Sequence, residues 1–199
     1  MSTRGAIGFH LKNKDYLTYN HSDSYPGGVG IDVLNEVCSI KNWNPVKTFV
    51  SHLTLVDENE KPSQKELNFY ADYASTDISI RNRETWYSLL RECQGILMHY
   101  MTGNIQHMID SNNFIKDSLF CEWAYIINLD SMELEIWKGF QHELDPNNRY
   151  GQEIFTIVGE AISKNTYYPC KLLLSFPLDN LPTRKDFLKW IEERVPQED

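Results

Sequence analysis

The sequence predicts an α+β fold, with one mainly antiparallel sheet and helices packed on it. Three observations predict it. Short apolar runs bounded by turn residues gather at the two ends of the chain. Between them the apolar spacing lengthens to three and four residues, the period of a helix. The strands also fail to alternate one for one with helices, which disfavours a doubly wound parallel sheet. A length of 199 residues suits one globular domain, 1–199. No internal repeat or low-complexity linker divides it.

The elements follow in order. Residues 4–11 hold Ala6, Ile7, Gly8, Phe9 and Leu11, Asn13-Lys14-Asp15 turns the chain, and residues 16–19 return it. This is an opening β-hairpin. Residues 21–30 carry three Gly and one Pro, the composition of a tight irregular loop. Ile31, Val33, Leu34, Val37 and Cys38 give residues 31–40 a helical face, and residues 42–45 interrupt it. Residues 49–56 read as a strand or a short helix, 57–63 as a polar loop and 64–73 as a helix; 77–82 are ambiguous. Residues 84–101 are the most helical segment, with Trp86, Leu89, Leu90, Cys93, Leu97 and Tyr100 on one stripe. Residues 105–110 read as a further short turn of helix.

From Cys121 the period changes to two. Residues 123–129, a turn at Asp130-Ser131-Met132 and residues 134–140 form a second hairpin, on whose arms Trp123 and Trp137 are expected to pair. Asp145-Pro146-Asn147-Asn148 is a loop. Residues 154–162 are apolar and fit either strand or helix. Residues 168–176, centred on Leu172-Leu173-Leu174, read as a buried strand. Thr183 is placed to cap a last helix over residues 183–195.

Composition excludes several classes of function. Aromatic residues make up 13% of the chain, far from the aromatic-poor composition of disordered polymers. No apolar run is long enough to span a bilayer, and the first residues lack the apolar core of a secretion signal, so a soluble cytoplasmic protein is expected. Nineteen basic residues face 28 acidic ones, a net charge of −9, with no basic block. Duplex nucleic acid is therefore not an expected partner. Cys38, Cys93, Cys121 and Cys170 form no CxxC pair and read as reduced, small core residues. His10, His21, His52, His99, His107 and His142 form no HxH or HExxH pattern, so no metal or other cofactor is expected.

Polar and aromatic groups concentrate near the start. If the opening hairpin forms, Arg4 lies at one strand end and residues 19–23 leave the neighbouring strand at the same edge. Thr3, Arg4, Tyr19, Asn20, His21, Asp23, Ser24 and Tyr25 then gather beside the Gly-rich turn. Such a set can hold an anion. Arg offers a bidentate fork, amides in a Gly loop form a nest, and Tyr stacks or donates. The alternative is a capped turn, with Asp23 bonded to backbone amides and Tyr25 packed.

Thr3-Arg4-Gly5, Tyr19, Asp23-Ser24-Tyr25-Pro26, Gly28 and Gly30 resemble the opening of a widespread group of uncharacterised bacterial, fungal and phage proteins. That group begins Thr-Arg-Gly and continues to Tyr-x-x-x-Asp-(Gly or Ser)-Tyr-Pro-x-Gly-x-Gly. Residues 123–130 and Lys138-Gly139-Phe140 are similar to phage members. Tyr168-Pro169 and Phe176-Pro177-Leu178 match in type. The resemblance covers about half the chain, at its two ends, and implies a phage or prokaryotic source without implying an activity. A weaker resemblance is to N-terminal nucleophile hydrolases. It implies Ser2 as nucleophile after loss of Met1, with Asp23 near the place of their conserved Asp. Asn20 stands where those hydrolases carry Arg.

Elsewhere, Trp86, Tyr87, Tyr100, Trp123 and Trp137 read as core, and Arg81, Arg83 and Arg91 as a solvated helix flank. No Walker, GxGxxG, GxSxG or kinase pattern is present. The expected function is that of a binder rather than an enzyme: a phage protein that sequesters an anionic, nucleotide-type immune signal without turnover, as a monomer or a homo-oligomer. A hydrolase using Ser2, His21 and Asp23 and a protein that blocks a host enzyme are the alternatives.

Overall fold

The structure is a computed structural model and describes residues 3–73, 85–151 and 167–195. Strands β1 (Gly5–Leu11) and β2 (Lys14–Asn20) form the expected hairpin, with Gly5 opposite Asn20. The later hairpin is β5 (Trp123–Asn128) and β6 (Glu133–Lys138), and β7 (Lys171–Pro177) follows it. These five strands make one sheet in the order β2-β1-β5-β6-β7. Every pairing is antiparallel except β1 with β5, which is parallel. The α+β reading holds. The parallel pair arises because the helical middle of the chain returns β5 to the free edge of β1.

Both faces of the sheet are covered. All seven residues of β1 and all six of β5 are buried, as expected of central strands with no wet face. On one face Ile7, Phe9, Tyr125, Ile127, Leu134 and Ile136 meet the helices. On the other, Ala6, Leu17, Ala124, Ile126 and Trp137 meet Ile115, Cys121, Tyr150 and Cys170 from loops. Gly5 lies where the backbone has no room for a side chain. A Cβ there would stand 2.4 Å from the Trp123 carbonyl oxygen and 2.7 Å from the Ser24 side chain.

Helix α1 (Ile31–Ser39) buries Val33, Leu34 and Val37 as its periodicity requires. Helix α2 (Trp43–Ser51) begins inside the stretch read as an interruption. Asn42 caps it by accepting from the Asn44 amide, and Pro45 lies in the first turn, where no intrahelical donor is lost. Strand β3 (Thr54–Val56) follows. Ser63 and Glu66 form a capping box that starts α3 (Gln64–Phe69), which ends before the expected residue 73.

The long central helix is two short ones, α4 (Trp86–Leu90) and α5 (Leu97–Met101). Its buried stripe survives the break, because Trp86, Leu89, Leu90, Cys93, Leu97 and Tyr100 are all inside. The break itself is tertiary. Gly95 fits against Asn20, and Glu36 of α1 accepts the Met98 amide at 2.8 Å, giving α5 a cap from another helix. Residues 107–109, expected as helix, are strand β4 (His107–Ile109), paired in parallel with β3. Three residues carry no decisive period, so the partner strand decided their state.

Strand β7 is an edge strand rather than a buried one, and Leu172 is 42% exposed. A register shift opposite Ile136/Trp137 makes Leu173 an extra residue. Trp123 and Trp137 do not pair. Trp123 stands opposite Lys138 and Trp137 opposite Ala124, so the two indoles lie on opposite faces. Helix α6 (Arg184–Glu192) starts at Thr183, whose hydroxyl accepts the Asp186 amide. Its Phe187 and Ile191 close the helical face of the core. Cys93, Cys121 and Cys170 are buried, whereas Cys38 is exposed rather than in the core. The expected elements at 77–82 and 154–162 lie outside the described residues, as do Ser2, Arg81 and Arg83. Among the described residues no helix is long and apolar enough to cross a membrane.

Candidate functional site

The hairpin register brings the start of β1 and the end of β2 to one sheet edge. Arg4 is fixed there through its backbone: its amide donates to Glu122 Oε1 at 3.3 Å, and its carbonyl accepts the Glu122 amide at 3.0 Å. Its guanidinium lies over the Phe120 ring, 4.7 Å from the centroid. It has no carboxylate partner among the described residues. Phe120 itself is 41% exposed.

Tyr19 stands opposite Ala6, with its ring edge-on to Phe114 at 5.0 Å and its hydroxyl 3.0 Å from His21 Nδ1. Burial raises the Tyr19 pKa; Arg4 acts to lower it and Tyr87 to raise it further. Tyr87, exposed on α4, therefore belongs to the same neighbourhood, and the Arg91 guanidinium lies over its ring at 5.6 Å. Arg4, Tyr19 and His21 thus come together as the sequence reading expects. Phe114, Phe120, Tyr87 and Arg91 complete the patch. The Tyr87/Arg91 pair had a legible signal, its i,i+4 spacing, but Tyr87 read as core and Arg91 as solvated flank. Phe120 had none.

The remaining predicted residues shape the turn. The Ser24 amide donates to the Thr3 carbonyl at 3.0 Å, and its own carbonyl accepts the Tyr125 hydroxyl at 3.0 Å. Ser24 is 1% exposed, and its hydroxyl accepts from Asn20 Nδ2. Thr3, Asn20 and Ser24 accordingly tie the loop to the sheet, and Ser24 is closed to a ligand. Asp23 is exposed in the left-handed region at φ 56°, and its carbonyl accepts the Val29 amide. Tyr25 is 46% exposed and lies along Gly27 and Gly28. The Gly loop does not make the expected anion nest. The Gly28 and Gly30 amides donate to the Tyr25 carbonyl, so the loop closes on itself. Gly30 is required for another reason: a Cβ there would stand 2.8 Å from the Tyr125 hydroxyl.

A second polar set lies at the opposite end of the same sheet face. His10 Nδ1 bonds Asp15, whose other oxygen accepts the Tyr150 hydroxyl at 2.9 Å. Arg149 donates to Tyr150 and, bidentately at 3.0 and 2.7 Å, to Glu135. Glu135 is 4% exposed and also accepts from Asn128 and the Trp137 indole. Burial opposes the Arg149 charge, but Glu135 and Tyr150 outweigh it and hold the guanidinium firmly protonated. Burial and the neighbouring Asp15 push the Tyr150 phenol well above its usual range. A cavity of about 370 Å³ opens beside this set, lined by Glu135, Trp137, Asn147, Arg149, Lys171 and Leu172. Both of its cations are already paired, Arg149 with Glu135 and Lys171 with Asp145. The set is a clamp that fastens the loop before Gly151 to the sheet, and among the described residues neither of its cations is free.

No cluster of three or more His, Cys, Asp or Glu side chains placed to hold a metal ion is assembled among the described residues. Fold and edge together define an α+β protein carrying a ring-lined surface patch in which Arg91 pairs with Glu92 at 3.5 Å and Arg4 has no carboxylate partner among the described residues. Compared with known families, curated proteins and solved structures, the chain finds no match in any of the three.

Proposed function

We propose that the edge formed by Arg4, Tyr19, His21, Phe120, Tyr87 and Arg91 binds a small anionic ligand of nucleotide type and holds it without turnover. The observation that carries this reading is the Arg4 guanidinium, which lies over an exposed ring with no carboxylate among the described residues to neutralise it. An unpaired guanidinium is a bidentate receptor for phosphate, and exposed aromatic faces take a planar base. A chain of net charge −9 repels anions at a distance but attracts them where a single uncompensated guanidinium such as Arg4 makes the local potential positive.

Two hydroxyls at this edge, those of Tyr19 and Ser24, are poor nucleophiles, which favours binding without turnover through them. The Tyr19 phenol touches His21, but burial raises its pKa and keeps it a weakly nucleophilic phenol at neutral pH. The Ser24 hydroxyl is buried and bonded to Asn20. The likeness of the opening segment to phage proteins makes cyclic dinucleotides and ADP-ribose-type immune signals the first compounds to test.

In the deciding experiment the protein is mixed with such a panel and filtered. The filtrate and the heat-released protein fraction are then run on HPLC. A compound that disappears from the filtrate and returns intact supports the reading. Arg4→Ala is expected to weaken its binding about ten- to hundredfold, the worth of a charge-assisted hydrogen bond, while Lys171→Ala at the far end leaves it unchanged. A product peak would instead make this an enzyme. Retention of no compound would move the edge toward a protein partner.

A further inference from the structure

His107 begins β4 at the meeting point of three elements, and its hydrogen bonds admit one protonation state. Tyr70, just beyond α3, is 1% exposed, and its hydroxyl oxygen accepts the Gln106 backbone amide at 3.0 Å. The phenolic hydrogen is then directed to His107 Nδ1, 2.8 Å away. Nδ1 is therefore an acceptor, and the imidazole carries its hydrogen on Nε2. That nitrogen faces Glu66 Oε1 at 3.3 Å. The other Glu66 oxygen accepts the Ser63 amide, and bonds from Ser63 hold the Glu66 carboxyl below its usual range, so Glu66 stays ionised. The ring also stacks on Trp86 of α4, with centroids 4.6 Å apart and planes 22° from parallel.

We propose that His107 is a pH-sensitive latch that holds α3 and α4 against β4 while its ring is neutral and releases them when the ring gains a proton. A second proton would have to go on Nδ1. Two donors, the Gln106 amide and Nδ1–H, would then face the Tyr70 oxygen, and the phenolic hydrogen would lose its acceptor inside a buried site. Unpaired buried donors are costly, so the contact opens instead.

The surrounding groups set the balance. From the α3 side come Glu66, with Lys65 acting on it, and Tyr70; α4 presents the uncharged Trp86 ring; β3 places Thr54 alongside. Cys93 and Tyr100 act on Tyr70 from behind, and His99 lies across Tyr73, which itself touches Tyr70. Burial lowers the His107 pKa from 6.5, and the attraction of Glu66 only partly offsets it. The folded state thus binds this proton less readily than the unfolded chain. The latch's contribution to stability is complete above about pH 6.5 and is lost as pH falls below it.

The test is a titration of tryptophan emission from about pH 8 to pH 5, because opening of the latch takes the imidazole off the Trp86 face and changes the surroundings of that indole. The wild-type protein is expected to show a step with its midpoint below 6.5. The step should vanish in His107→Gln and in Trp86→Phe and remain in His99→Gln. Amide exchange at Gln106, corrected for intrinsic rate, should accelerate at least tenfold across the same step. Tyr70→Phe keeps His107 but removes the bond that enforces neutrality, and is expected to raise the midpoint by roughly half a pH unit. This variant keeps the proposal testable if His107→Gln fails to fold. A wild-type protein with no step, a step that persists in His107→Gln, or a midpoint unmoved in Tyr70→Phe would each overturn it.

Discussion

At the scale of single residues, Glu36 shows how burial and bonding compete on one side chain. It accepts the Met98 amide and so caps α5, yet burial pushes its carboxyl pKa up to about 7. Asp32, one turn earlier on α1, adds to the rise, while the amides of Met98 and Leu97 act against it. The folded pKa lies above the unfolded value of 4.5, so the native state holds an extra proton between these values. Stability is therefore highest below 4.5 and falls as pH rises through about 7. Glu36→Gln keeps an acceptor for Met98 and removes the charge. We expect it to raise the thermal midpoint at pH 8 and not at pH 5. With partial burial and solvent screening the gain is about 1–2 kcal/mol, read by calorimetry at the two pH values. Nothing in the local sequence marks Glu36 as different from other acidic residues on helices. Its burial comes from α5, whose Met98 lies 62 positions later in the chain.

At the scale of elements, the two edges of the five-stranded sheet are finished differently. On β2, Asn112 Oδ1 accepts the Leu17 amide at 2.8 Å, Asn112 Nδ2 donates to the Asp15 carbonyl at 3.1 Å, and the Ser111 amide donates to the Leu17 carbonyl at 2.9 Å. The loop after β4 thus acts as a partial sixth strand. On β7, protection comes from Lys171 at the start, the extra residue Leu173 and Pro177 at the end, devices that make an edge a poor template. Asn112→Ala leaves the Leu17 amide and the Asp15 carbonyl unpaired beside a buried strand. The expected cost is about 1–2 kcal/mol, with faster hydrogen exchange at Leu17 than at Phe9 of the central strand. Equal exchange at the two amides would show that the edge does not depend on Asn112. The same scale explains the split between α4 and α5. An apolar stripe specifies which face is buried, but it does not specify that the backbone stays helical between its members.

At the scale of the whole molecule, one face of the sheet carries two polar regions with different charge balance. At the Arg4 end a guanidinium is left without a carboxylate among the described residues; at the Glu135 end both cations, Arg149 and Lys171, meet carboxylates. The contrast separates a surface patch suited to a ligand from a clamp suited to holding a loop. Arg149→Met strands the Glu135 carboxylate in a site 4% exposed, and urea unfolding should show a loss of about 3–5 kcal/mol. Adding Glu135→Gln to that variant should restore most of the loss, because a neutral amide tolerates the site that an unpaired carboxylate does not. A double variant as unstable as the single one would mean that the clamp acts through packing of Arg149 on Trp137 and Tyr150 rather than through charge. The sequence by itself determined the elements whose period is long or whose ends are marked: the β1/β2 and β5/β6 hairpins, α1, and α6 behind its Thr183 cap. It also brought Arg4, Tyr19 and His21 to one edge, because a two-stranded register follows from the hairpin alone. Only the tertiary structure decided that residues 107–109 are a strand, that α4 and α5 are separate, that Ser24 is sealed inside, and that Phe120 and Tyr87 join Arg4. Those outcomes depend on partners far away in the chain, and a pairing between distant segments leaves no period in either of them.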